Sequence, residues 1–234
     1  MLYASAQSYR AIARHLAATD HPDLLAVYFE LVDATCHLFM PYAPPLRPGT
    51  DPAKYEQFKN AVDEAYVLQD EIIGEYLASL DGTTVLVVVS DHGFLSGASR
   101  LSASAEIAAG KAALWHRLDG IICMYGNGIR KGQRIEGASV IDIAPTLLAL
   151  QGLPKPADMP GKVLRNAFDD TLLARVNNAT VATLQRQRAV ETAVVDDPSA
   201  QDAIKKLEAL GYLAQETPDT HNNLGQRYLQ QGDF

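Results

Sequence analysis

The chain has 234 residues, enough for one sizeable domain or a domain with an appendage. Hydrophobic residues make up 47% and charged residues 21%, as in an ordinary globular protein, and the net charge of -8 excludes a general nucleic-acid binder, which needs clustered Lys and Arg. The two cysteines, Cys36 and Cys123, form no zinc-ribbon or disulfide pattern, and no apolar run reaches the roughly 18 residues of a membrane span.

Residues 4–18 predict an amphipathic helix with Ile12 and Leu16 on its apolar side, broken by His21, Pro22 and Asp23. This opening segment lacks the apolar stretch and small-residue cleavage site of a signal peptide, which leaves the compartment open. Leu24 to Glu30 is a short, nearly continuous apolar run that reads as a strand buried on both faces. Residues 41–52 carry five of the twelve prolines and predict a loop. Val62, Tyr66, Ile73, Tyr76 and Leu80 recur at three-, four- and seven-residue spacings and predict one long helix from Ala53 to Leu80, ended by Asp81-Gly82. Thr84 to Val89 is the strongest strand in the sequence and runs into Ser90-Asp91-His92-Gly93.

Residues 95–113 read as loop with one short helix, and Gly120 to Tyr125 as a further buried strand followed by turn residues Gly126, Gly128 and Gly132. Ile141 to Gln151 predicts a helix with Pro145 in its first turn, stopped by Gly152 and Pro154. Strands alternating with helices imply βαβ units and a mostly parallel sheet. Beyond Phe168 the expectation is a polar helical stretch over 169–195 and a short amphipathic helix from Ala203 to Leu213. The end, NNLGQRYLQQGDF, resembles the opening helix of a tetratricopeptide repeat, a unit that needs stacked neighbours to bury its apolar face.

Three clusters carry residues with chemistry. Asp33 and His37 stand at i,i+4, so on a helix they share a face and can share a metal ion; a surface pair or a local hydrogen bond accounts for the same spacing. Asp91 and His92 follow the strongest strand, where open α/β sheets bind ligands. Burying such a pair is costly unless it is partnered or bound to metal; the alternative is Asp91 as a helix cap with a partly exposed His92. His116 precedes the strand at 120–125, and alone it reads as structural or exposed. Together the five form a His/Asp set without cysteine, which suits zinc, manganese or iron better than calcium. Five ligands are too many for one closed tetrahedral site and too few for two complete ones. Trp115 and Tyr125 read as core or pocket wall, Arg117 as a surface residue, Cys36 as a small buried thiol, and His15, His21 and His221 as exposed.

The order strand, Asp33-x-x-x-His37, long helix, strand, Ser90-Asp91-His92-Gly93, then His116 before a strand ending in Gly-x-Gly-Ile resembles the type I phosphodiesterase / nucleotide pyrophosphatase branch of the alkaline phosphatase superfamily. The stretch 141–164 and the segment AIKKLEALGYL resemble parts that close such domains, so the likeness covers residues 5–213. It implies an α/β, alkaline phosphatase-like, mostly parallel sheet flanked by helices, incomplete here, with a helical C-terminal tail. It implies the C-terminal half of a metal-hydrolase domain at 1–168, a helical tail or linker at 169–219, and the truncated repeat helix at 220–234.

The resemblance also implies two divalent ions, zinc first and manganese or iron next. Asp33, His37 and His116 would bind one ion, and Asp91 and His92 the other. The substrate would be a phosphate-ester small molecule, attacked in line between the two ions. In the family an aspartate and a Thr or Ser nucleophile come from an N-terminal half. Ser5, Ser8 and Thr19, the Ser and Thr hydroxyls upstream of Leu24, lack the strand and Gly-rich setting of that nucleophile. The expectation is a chain without its nucleophile and inactive by itself, with exposed sheet surface that makes it marginally stable or self-associating. Two other readings stand beside this one: a sulfatase or phosphotransferase on the same scaffold, and a non-catalytic platform that binds protein partners through downstream repeats.

Overall fold

A computed structural model describes residues 2–101 and 112–183. In chain order the helices are α1 (Leu2–Thr19), α2 (Leu31–Phe39), α3 (Pro52–Phe58), α4 (Ala61–Ser79), α5 (Ile143–Leu150) and α6 (Asp170–Leu173). The strands are β1 (Val85–Ser90), β2 (Gly93–Phe94), β3 (His116–Arg117), β4 (Ile121–Gly126), β5 (Lys155–Pro156) and β6 (Thr180–Val181). The helix expected at 203–213 and the repeat-like end lie outside the described residues. Among the described residues no helix is long and apolar enough to cross a membrane. The described chain divides into two units, one from residues 2–75 and 92–120 and one from 76–91 and 121–183.

In the first unit α1 is helical as expected, but it buries Ala6 and Ala13, while Ile12 is 55% exposed. The small residues let α1 approach its neighbours closely, and Arg10 forms an ion pair with Glu75 on α4. Leu24 to Glu30 is not a strand. An apolar run becomes a strand only when another backbone pairs with it. Among the described residues no strand ladder includes this run, and Leu24 and Tyr28 are exposed.

The single helix expected from 53 to 80 is two. Asp51 caps α3 by accepting from the amides of Ala53 and Lys54, with Pro52 in its first turn. The buried stripe of α4 is Val62, Ala65, Leu68 and Ile72, while Tyr66, one of the periodic residues, is exposed. Cys36, Met40, Val62 and Trp115 form a core cluster, with Phe39, Phe94 and Leu101 packed against it. Arg100 is buried and donates to the carbonyls of Ala43, Pro44 and Pro45, so it clamps the proline-rich loop.

In the second unit Asp81 opens β1. Its Oδ1 accepts from the amides and hydroxyls of Thr83 and Thr84, and these bonds hold its carboxyl down at about 2. β1 pairs with β4 antiparallel, from Val85 opposite Gly126 to Ser90 opposite Ile121. The sheet is therefore not the mostly parallel one expected. The only parallel pairing among the described residues is the two-residue β5–β6 ladder. β4 alternates, with Ile122 and Met124 inward and Ile121, Cys123 and Tyr125 exposed. It is a half-buried strand, and Tyr125, at 60% exposure, is not core.

A turn over Val140–Asp142 leads into α5 and is held by a reciprocal capping box between Ser139 and Asp142. Pro145 lies in the first turn of α5 and Gly152, at φ +67°, follows its end, both as the sequence predicts. Asp142 Oδ1 also accepts from the Lys162 amide, and the Thr146 hydroxyl donates to the Asp142 carbonyl while accepting from the Leu164 amide. This polar staple pins the 158–164 loop onto α5. Gly161 fits there because a Cβ would lie 2.2 Å from the Ile141 carbonyl oxygen. The core holds Ala149, Ala167, Phe168 and Val176. The polar helix expected from 169 contracts to α6, capped by Asp169 and ended by a turn; its continuation beyond 183 lies outside the described residues.

Candidate metal centre

Asp33 and His37 lie on α2, one turn apart. Asp33 sits in the first turn, where the helix dipole favours a carboxylate. Leu31, Ala34, Thr35 and Cys36 are buried around them, which fixes the rotation of the helix. The thiol of Cys36 behaves as the small buried group that its sequence position suggests: burial, then the Asp33 charge, pushes it up to about 12.

His92 and His116 come together through a short antiparallel ladder. β2 pairs with β3, with Gly93 opposite Arg117 and Phe94 opposite His116. The Leu95 amide extends it by donating to the Trp115 carbonyl at 2.7 Å. Trp115, fully buried, stacks on Phe94 with centroids 5.7 Å apart and anchors the ladder in the core. The His37 ring meets Phe94 edge-on at 4.9 Å. Phe94 thus contacts both α2 and the β3 side of the centre.

One donor atom each from Asp33, His92 and His116 lies within 4.8 Å of the others. Asp33 Oδ1 is 3.8 Å from His92 Nε2, 3.7 Å from His116 Nε2 and 3.5 Å from His37 Nε2. The His92 and His116 rings stack at 3.7 Å and 14°. His92 Nδ1 is 3.1 Å from the Gly93 carbonyl oxygen. A carbonyl only accepts, so Nδ1 donates to it and Nε2 is the ring atom that faces Asp33. The Nε2 atoms of His37 and His116 are 2.9 Å apart, so one donates and the other accepts. Burial, and then the proximity of His92, lowers the pKa of His37 to about 4, and its ring is neutral at physiological pH.

This donor set fits a divalent metal ion. A tetrahedral ion with ligands at roughly 2.1 Å needs donors about 3.4 Å apart, close to the separations of Asp33 from the three histidines. The carboxylate supplies charge and the imidazoles supply neutral nitrogens, as such ions require.

His92 lies with Asp33 and His116, and its ring stacks on that of His116. Asp91, expected beside His92, is exposed, ends the β1 segment in the second unit, and is not one of the three converging residues. Sequence reasoning missed Phe94 and the Gly93 carbonyl as supports. Two-residue strands leave no periodic signal; the small run Gly-Phe-Leu after His92 was the sole hint. Arg117, His15 and His21 are exposed, as expected, and His221 lies outside the described residues.

The sequence model of the type I phosphodiesterase / nucleotide pyrophosphatase family matches residues 4–146, a stretch that contains all five expected ligands. Curated relatives include the 2,3-bisphosphoglycerate-independent phosphoglycerate mutase of Bacteroides thetaiotaomicron, 28% identical over 105 residues, which cover 44% of this chain and 19% of the mutase. The enzyme of the same name from Clostridium botulinum is 31% identical over 110 residues, covering 47% of this chain and 20% of the mutase. The matched stretch thus spans roughly a fifth of these relatives. No solved structure matches the chain.

Proposed function

Because the chain belongs to the type I phosphodiesterase / nucleotide pyrophosphatase family, we propose that it carries part of the metal centre of an enzyme that hydrolyses or transfers phosphate esters. The observation that carries this reading is the convergence of Asp33, His92 and His116, with His37 against them. These four residues would hold one divalent ion, zinc being the first choice for a set of one carboxylate and several imidazoles. Asp91 would serve a second ion. When bound, such ions supply Lewis-acid stabilisation of the charge that develops on phosphoryl oxygens.

The chain's own residues prepare that chemistry. The Gly93 carbonyl holds the Nδ1 proton of His92, so Nε2 faces inward. Burial keeps His37 neutral, and Asp33 provides the negative charge that offsets a cation. We assign the nucleophile to no hydroxyl among the described residues, and we expect the chain by itself to lack esterase turnover.

The test is elemental analysis of protein purified without chelating tags, for the native sequence and an Asp33→Ala/His92→Ala double variant. We expect about one zinc-like ion in the native chain and a loss of at least tenfold in affinity for the variant, since removing first ligands costs more than removing their supports. Equal metal content in both would remove these residues from the centre. A transferase reading draws on the phosphoglycerate mutase relatives. Product analysis of an active relative or reconstituted enzyme separates the two, as phosphate passes to water in one case and to an acceptor hydroxyl in the other.

A further inference from the structure

We propose that Gly93 is a positioning residue of the metal centre: the absence of its side chain sets the spacing between His92 and His116. The inference rests on the metal-centre reading above, and it assigns a role to a residue that bears no donor side chain. Gly93 sits opposite Arg117 in the β2–β3 ladder. Its neighbours in sequence are His92 on one side and Phe94, the partner of His116, on the other. A Cβ added at Gly93 would lie 2.9 Å from the Asp119 carbonyl oxygen, 3.4 Å from Arg117 Cβ and 3.8 Å from Arg117 Cδ. The nearest of these is backbone, so a flexible side chain cannot simply turn aside.

The requirement is for space and not for an unusual backbone angle, because the φ of Gly93 is outside the left-handed region. Relief of the clash must move either residues 117–119 or residues 92–94. The first path shifts His116, and the second shifts His92 together with the Gly93 carbonyl that orients its ring. Either path opens the 3.7 Å ring stack on which the convergence with Asp33 depends. Gly74, on α4 in the same unit, has nothing within 4 Å of a built Cβ and serves as the matched control.

The test reads the ring contact first, without metal. In chelator-treated protein, NMR should give a nuclear Overhauser contact between the His92 and His116 ring protons in the native chain and in Gly74→Ala. The contact should be lost in Gly93→Ala. Titration with Zn²⁺ or Co²⁺ should then give equal affinity for the native chain and Gly74→Ala, and a roughly 10- to 100-fold weaker one for Gly93→Ala, the range of a support residue. The Co²⁺ absorption spectrum should change shape in Gly93→Ala, which a merely destabilised but correctly arranged centre does not do. If Gly93→Ala does not fold by circular dichroism, the double variant Gly93→Ala/Asp119→Gly is read instead. There the carbonyl that clashes can rotate away, and folding and part of the affinity should return. An intact His92–His116 contact in folded Gly93→Ala, or failure of Asp119→Gly to restore folding or affinity, overturns the proposal. If the native chain shows the ring contact and binds no metal, the metal-centre reading fails while the positioning result still stands or falls on the NMR contact.

Discussion

Replacing His37 with Gln tests the electrostatics of the centre in metal-free protein. The His37 side chain is 2% exposed, so solvent screens it little. Burial first, and His92 second, lowers its pKa from the usual 6.5 to about 4. A histidine depressed in the fold takes up its proton more readily in the unfolded chain. Its contribution is therefore complete above pH 6.5, declines as pH falls towards 4, and declines no further below that. A shift of this size corresponds to roughly 3 kcal/mol across the window. With a urea slope of about 2 kcal/mol/M, the native midpoint should fall by roughly 1.5 M more than that of His37→Gln between pH 7 and pH 4. Asp and Glu remote from His37 titrate in both proteins and cancel in the difference. Urea unfolding of both chelator-treated proteins, followed by circular dichroism, gives the comparison. Parallel midpoint curves would refute the claim that His37 is held neutral by its surroundings.

Two further predictions concern the staple in the second unit. Thr146→Val removes the hydroxyl that accepts from the Leu164 amide and donates to the Asp142 carbonyl, and should destabilise by about 1–3 kcal/mol in chemical denaturation. A loss within error would mean that the Leu164 amide finds another acceptor. Gly161→Ala should cost about 1–3 kcal/mol, because its φ is +84° and its Cβ would strike the Ile141 carbonyl. Gly132→Ala, at φ +66° with open space around it, should cost only about 1 kcal/mol. Equal losses at the two glycines would show that the backbone angle, and not the close approach, dominates.

Local features were legible in the sequence, and pairings were not. The TVLVVV run has no competing period and became β1, and the i,i+4 spacing of Asp33 and His37 lies on a helix. The capping at Asp51-Pro52 and at Ser139 through Asp142 also acts within four residues, but it was not read from the sequence. The run at 24–30 has the composition of a strand, but composition does not supply a partner. The direction of the β1–β4 ladder is likewise a relation between distant segments. In α1 the core side is set by close approach of Ala6 and Ala13, which a search for large apolar residues passes over. The centre shows the same division. Its donors could be nominated one by one, whereas the association of His92 with His116 depends on two strands of two residues each. Strands that short are invisible to any periodicity.

The contrast between the two thiols gives the chain a built-in reporter. Cys123 stands exposed on β4, while Cys36 is enclosed on α2 and kept protonated by its surroundings. A maleimide should modify Cys123 within the folded protein and reach Cys36 only when α2 opens. The slow second labelling step would then measure the opening free energy of the helix that bears Asp33 and His37. Its rate with and without zinc would report how firmly a bound ion closes that helix, with no substrate and no catalytic turnover needed.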